Sequence, residues 1–351
     1  MLNTPQPPAA TLLPPTLPSY GADAHGLICG YRFRPGRAAE AIASAEAALP
    51  LAGAAPDEPG SFVWLHLNLS HAGAEAWMRT HAELPDSFYE ALHEGSSRST
   101  RIERDGDTLF AVINDITFDF SFDASDVATL WLAVGPGLVL SARRQPLRSV
   151  DRLRMAVKRG EPLASSVALL DHLLSDQADE LQRIVRQATM RVDDIEDALL
   201  AGKHEGHGGE IARLRRLMVR LQRLLAPEPS ALMRTLSRPP AWLASEDREQ
   251  LRRASEEFAL VLGDIAALQE RIKLMQDESA ARVAEDNNRS LFTLTMVTVL
   301  ALPINLVSGL FGMNVGGIPL AEHGHGFWIM VSLIAGLTGL IAFLALRRMR
   351  R

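Results

Sequence analysis

Residues 291–314 read LFTLTMVTVLALPINLVSGLFGMN. The first 21 of them carry no charge, and about 20 apolar residues take a helix across the hydrocarbon core of a bilayer. A second run, Phe327–Leu346 (FWIMVSLIAGLTGLIAFLAL), is uncharged over 20 residues. Core helices of soluble proteins rarely stay uncharged for that length, so the pair predicts a transmembrane hairpin. Inside the first run, Pro303, Asn305, Ser308 and Gly309 are costly or helix-weakening in lipid unless they face protein or water.

The flanks set the orientation. Arg347, Arg348, Arg350 and Arg351 follow the second run, whereas the 15-residue loop 312–326 contains no Lys or Arg. The positive-inside rule places the tail in the cytoplasm and the loop outside. Two spans then return the N-terminal part to the cytoplasm. A single cysteine, Cys29, excludes an internal disulfide and a thiolate-cluster metal site, and suits a reducing compartment. It has no obvious partner in the sequence and reads as structural. The formal net charge of -6 lacks the basic excess of a nucleic-acid binder.

Upstream, the first twenty residues hold six prolines and no basic n-region, which reads as a disordered leader and not a secretory signal. Residues 27–145 read as mixed α/β. Ser61–Leu69 alternates like a half-buried strand, and strands are expected over Asp107–Ile113, Ala128–Val134 and Gly137–Ala142. Helices are expected near Ala74–Ala82 and Pro85–Glu94. This part contains no phosphate loop, nucleophile elbow or dinucleotide fingerprint. From Ser166 the pattern is helical: one helix to about Leu200, a second over Glu210–Leu225 interrupted by PEPS, and a third from Ser245, expected as its N-cap. No strong breaker precedes Pro303, so the third helix is expected to run into the membrane over roughly 100 Å at 1.5 Å per residue. Its seam, Leu251, Phe258, Leu262, Ile265, Leu268, Ile272 and Met275, has the spacing of helix–helix association and is expected to self-associate. Past Met275 it turns polar through Ser279, Arg282, Asp286, Asn287 and Asn288, which suits several copies around a wet axis.

Gly312-Met313-Asn314, at the outer end of the first of two C-terminal spans and followed by a basic end, resembles the CorA-type metal-ion transporter superfamily. The following Val-Gly-Gly-Ile-Pro (315–319) resembles its ZntB zinc-transporter branch. The resemblance implies a homopentameric funnel in a bacterial inner membrane, with first spans lining an axial pore and second spans outside them. It assigns the outer pore mouth to Gly312, Met313 and Asn314. Asn288, Leu291, Leu294 and Leu302 match constriction and inner-mouth positions, and Asp277 matches a regulatory magnesium position of the CorA branch. A ring of five Asn314 carbonyls would offer neutral acceptors to the water shell of a hydrated cation, without a full charge to trap it. The leucine rings further in could gate by dewetting.

Taken together, these readings give an α+β cytoplasmic domain leading through long helices into a two-span hairpin. A Pro-rich leader covers 1–24, the α+β part 25–160 and a long-helix region 161–290. The spans cover 291–311 and 327–346, the external loop 312–326 and the basic tail 347–351. The expected function is proton-coupled zinc transport, import favoured over efflux, with metal ions, protons, lipid and further copies of the chain as partners, and with no cofactor and no catalysis. A CorA-type magnesium, cobalt or nickel channel is the alternative, and a membrane-anchored sensor or enzyme is the alternative of another class. Glu322, His323 and His325 in the external loop either collect zinc at the entrance or form a solvated turn. His204, Glu205 and His207 fit a polar turn between helices. His66 fits a structural place in its strand. Asp193, Asp194, Glu196 and Asp197 fit a solvated helix face or a cation-attracting one, and the basic residues of Arg213–Arg223 could neutralise them or face anionic lipid.

Overall fold

The strand expected over Ser61–Leu69 lies inside the sheet, third from one edge. In the computed structural model, which describes residues 22–52, 58–94, 100–202, 206–313, 319 and 324–349, β3 (Phe62–Asn68) is buried at every position up to Leu67. It is therefore not half-buried: helices cover both faces of the sheet, so both sets of alternating side chains are enclosed. Phe62 and Trp64 join one core, and Val63, Leu65 and Leu67 join the other.

Around β3 lie β1 (Leu27–Phe33), β2 (Glu40–Ile42), β4 (Arg101–Asp105), β5 (Thr108–Ile116), β6 (Val127–Val134) and β7 (Leu138–Arg143). The sheet order is β2-β1-β3-β7-β6-β5-β4. Among the described residues only β3 and β7 pair in parallel; the other neighbours are antiparallel. Gly30 lets β1 approach its neighbours closely, since a Cβ there would lie 3.0 Å from the Ile42 Cβ and 3.1 Å from Leu65 Cδ2. On one face, Trp77 and Met78 of α2 (Ala74–His81) and Phe88 of α3 (Asp86–His93) pack on Leu65, Leu67 and Trp131, beside α1 (Ala45–Ala52). On the other face, α4 (Arg148–Lys158), α5 (Ser166–Leu200), α7 (Pro227–Leu236) and the start of α8 (Ser245–Phe311) bring Leu153, Leu170, Leu232 and Leu251 against Trp64, Leu130 and Leu132. Two further helices are α6 (Gly208–Leu225) and α9 (Gly326–Met349).

Three expectations change. PEPS (227–230) does not only interrupt: it opens α7, with Pro227 at the first helical position, where its missing N–H costs nothing. Ser245 is the first residue inside α8 and not its cap; the Ala244 carbonyl accepts the Arg248 N–H at 3.0 Å. The α8 seam is covered by this chain's own helices. Leu251, Phe258, Ile265, Leu268, Ile272 and Met275 are buried, Ala254 and Val261 complete the spacing, and Leu262 is only half-buried. Ser255 Oγ donates to Pro229 O of α7 at 3.2 Å, and Arg271 pairs with Asp193 (2.6 Å) and Glu196 of α5. A seam of this spacing specifies a helical neighbour but not whose.

The chain divides into two compact units at Leu274/Met275, where the buried seam ends. In the second unit, α8 and α9 each contain a stretch long and apolar enough to cross a membrane, with almost nothing of either stretch buried.

Candidate functional site

The membrane part of α8 is not uniformly apolar. At about 100° per residue, Asn288, Leu291, Leu294, Leu302 and Gly312 fall within a sector of about 120°. Thr295, Thr298, Asn305 and Gly309 lie in the same sector. Outside it, the segment 291–311 is apolar except for Thr293, Pro303 and Ser308. All five candidate positions, and Asn305, are exposed on the single chain.

The polar groups of this stripe differ in how they are satisfied. Thr295 Oγ1 donates to Leu291 O at 2.8 Å and Thr298 Oγ1 to Leu294 O at 2.9 Å, so both hydroxyls are bonded within the helix. The Asn305 amide finds no partner among the described residues. Pro303 has no N–H, which leaves the Val299 carbonyl without its usual donor one turn earlier. At the outer end the helix closes with Gly312 N donating to Ser308 O at 2.9 Å. A Cβ at Gly312 would come within 3.1 Å of that same oxygen, so the tight turn into Met313 suits glycine. Met313 is half exposed. In lipid an unpartnered amide costs several kcal/mol (about 1–3 by mutational measures). The sector is therefore the side of α8 that needs water or protein.

Asn314, Val315–Ile318, Glu322 and His323 lie outside the described residues, as do His204 and Glu205. His325 is exposed just before α9, and its carbonyl accepts from Ile329 N at 3.2 Å. Asp277 is exposed on α8 in the second unit. Among the described residues no three His, Cys, Asp or Glu side chains form a metal-binding group.

In the first unit, the tempting side chains have structural partners. His66 is fully buried. Its Nδ1 donates to Ser141 Oγ at 2.8 Å, and its Nε2 accepts from Arg143 Nε at 3.0 Å, an arrangement that fixes the neutral tautomer. Ser141 Oγ also accepts from Trp64 Nε1 at 2.8 Å. Burial, with the Arg143 charge, holds the His66 pKa well below the ordinary value. Burial pushes the Cys29 thiol up to about 11 despite a hydrogen bond to Arg154, a partner that the sequence did not reveal. Of the acidic cluster, Asp193 and Glu196 are held by Arg271, while Asp194 and Asp197 are solvated. A groove of about 890 Å³ beside α4 and α5 is organised around Glu180, whose buried carboxylate accepts from Arg148, Arg152 and Arg183. Burial alone would raise the Glu180 pKa, but the bonds from Arg183 and Arg148 outweigh it and hold it low.

Thr295 and Thr298 were not singled out as stripe members from the sequence. Their signal was present, as three- and four-residue steps from Asn288 and Leu291, but it counts only once α8 is continuous through Pro303.

Comparison with known proteins agrees with this architecture. The sequence model of a family described as CorA-like Mg2+ transporter protein matches residues 59–351. The divalent cation transporter CmaX of Pseudomonas aeruginosa is 27% identical over 282 residues, 80% of this chain and 84% of that protein. The zinc transport protein ZntB of Pectobacterium carotovorum is 25% identical over 280 residues, 80% of this chain and 85% of that one. The structure of the full-length CmaX protein superposes with a TM-score of 0.76 at 24% identity, covering 94% of this chain and 99% of that one, a likeness of fold. Because the family match spans most of the sequence, the chain belongs to the CorA-like Mg2+ transporter family and is a divalent cation transporter, not an enzyme.

Proposed function

We propose that the chain carries zinc ions across a bacterial inner membrane along an axis lined by the polar stripe of α8, in an assembly of five copies and coupled to protons, with import as the favoured direction. The observation that carries this reading is the one-sided stripe itself, running from Asn288 to Gly312 and leading into Asn314. Amide and hydroxyl groups along it can bond the water shell of a passing cation, and Leu291, Leu294 and Leu302 interpose apolar rings that would dewet when closed. Gly312, Met313 and Asn314 form the outer mouth, and the number five comes from the family resemblance.

Zinc is favoured over magnesium by Val315–Pro319, the segment that resembles the zinc branch, and by the curated relatives whose names specify zinc transport. Glu322, His323 and His325 would concentrate zinc at the entrance, because imidazole and carboxylate suit that metal. The arginines after the second span and the absence of Lys and Arg from the loop support cytoplasmic termini and an external loop. Asp277 would be a cation-sensing position on α8.

The magnesium named by the family description is the second reading. Uptake by proteoliposomes offered Zn²⁺, Mg²⁺, Co²⁺ and Ni²⁺ in competition separates the two. Zinc flux that the other ions barely suppress is expected. Dominant magnesium flux that follows membrane potential alone would replace zinc with magnesium.

A further inference from the structure

Among the described residues of the first unit, two carboxyl groups are buried without a cation on either. Glu228, in the first turn of α7, is 2% exposed, and Asp115, near the end of β5, is 1% exposed. Asp115 Oδ2 accepts from Ser149 N at 3.1 Å and Ser149 Oγ at 2.5 Å, and the Ile116 backbone N–H also favours the charged form, while Oδ1 makes no hydrogen bond of good geometry among the described residues. Glu228 is bonded to the Thr100 side chain and, at 3.5 Å, to Gln177 Nε2, while its Oε1 has no partner among the described residues. Gln177 Nε2 also donates to the Asn114 carbonyl at 2.7 Å, so one α5 amide bridges the strand of one acid to the other acid. The Asn114 side chain lies 3.4 Å from both Thr100 and Thr129. From α6, Leu224 reaches this cluster, its carbonyl accepting from Thr100 N at 3.1 Å.

The charges that act on the pair make ionisation harder. Asp115 bears on Glu228, and Glu180 of α5 bears on Asp115. The nearby arginines Arg148, Arg152 and Arg183 are occupied by Glu180. A carboxylate without a cation in a packed interior is far more expensive than the neutral acid.

We propose that Glu228 and Asp115 form a buried proton-binding site that pins α7 to the sheet while protonated and loosens it when the protons leave. Because α7 also packs on α8 through Pro229 and Ser255, the site would make the attachment of α8 within the first unit sensitive to pH. The proposal depends on the first unit alone, whichever ion is carried.

Burial is the main cause in both groups, raising Glu228 to about 8 and Asp115 to about 6. The folded chain therefore holds more protons than the unfolded chain, and its stability falls as pH rises, through about pH 6 for Asp115 and about pH 8 for Glu228. His66, depressed when folded, acts in the opposite sense, but only below its ordinary value of 6.5. His172, raised by Asp176 at 3.0 Å and by Glu161 at 3.4 Å, acts in the same sense above 6.5. The window from pH 6.5 to 8.5 thus isolates Glu228 once His172 is controlled. There each pH unit should lower the folded-to-unfolded ratio by up to about tenfold through Glu228.

The test is the thermal transition of the full chain in detergent, followed by tryptophan fluorescence at pH 6.5 and 8.5. The wild-type midpoint should drop at the higher pH, Glu228→Gln should lose most of that drop, and His172→Gln should keep it. A Glu228→Gln drop as large as the wild-type drop would overturn the proposal. Should that variant not fold, hydrogen exchange of the wild type decides. Corrected for intrinsic rates, residues 227–236 should exchange faster at pH 8.5 while residues 74–81 do not, and an unchanged 227–236 segment would overturn it.

Discussion

The two units of this chain solve opposite problems with one continuous helix between them. Up to Met275, α8 turns Leu251, Phe258, Ile265, Leu268 and Ile272 inward and leaves its charges outside. Beyond it, the large apolar side chains are outside: Leu291, Leu294, Val297, Leu302 and Leu306 are each at least 60% exposed. The first unit completes its own core. The second completes nothing by itself, and it leaves an amide at Asn305 without a partner among the described residues. A surface that is apolar nearly all round, with one polar sector, needs two surroundings at once, lipid on most of it and water or other copies on the rest.

That contrast can be broken by matched substitutions. Phe258→Ala should cost the first unit about 3–5 kcal/mol, read as a lower thermal midpoint, because its ring lies within a packed core. Leu294→Ala, on the same helix, should leave that transition in place. Equal losses would mean that the two stretches of α8 are not distinct environments. Glu180→Ala should cost about 1–3 kcal/mol. It leaves Arg148, Arg152 and Arg183 without their shared acceptor, although each can reach solvent. Asn305→Leu should leave folding and assembly intact and lower ion flux by roughly tenfold, the worth of one net hydrogen bond to a hydrated ion. Unchanged flux would remove Asn305 from the pathway. Glu249→Gln should produce no resolvable change in stability, since its pairs with Arg252 and Arg253 are exposed and screened.

How legible each region was follows from the same contrast. The hairpin could be read from composition alone, because a bilayer demands about twenty apolar residues and tolerates few exceptions. The strands around Phe62, Val127 and Leu138 were also visible, as alternating stretches. Their enclosure on both faces was not, since a single strand cannot announce the helices that cover it. Missed elements had weaker signals. The strand β1 carries Gly30 and Arg32 among its apolar residues, and α4 is dense in arginine. The α8 seam was legible as a seam, while its partner was not, because periodicity encodes a neighbour and not which chain supplies it. Glu228 and Asp115 gave no signal at all: burial of a carboxyl is a property of the fold.

Zinc uptake into proteoliposomes, with and without a pH gradient, for wild type and Asn314→Ala, tests the central claim most directly. Wild type should accumulate zinc faster when protons can flow inward with it. Asn314→Ala should lose most of that flux while still folding and assembling. Absence of zinc movement under every gradient, or Asn314→Ala transporting at the wild-type rate, would contradict the account.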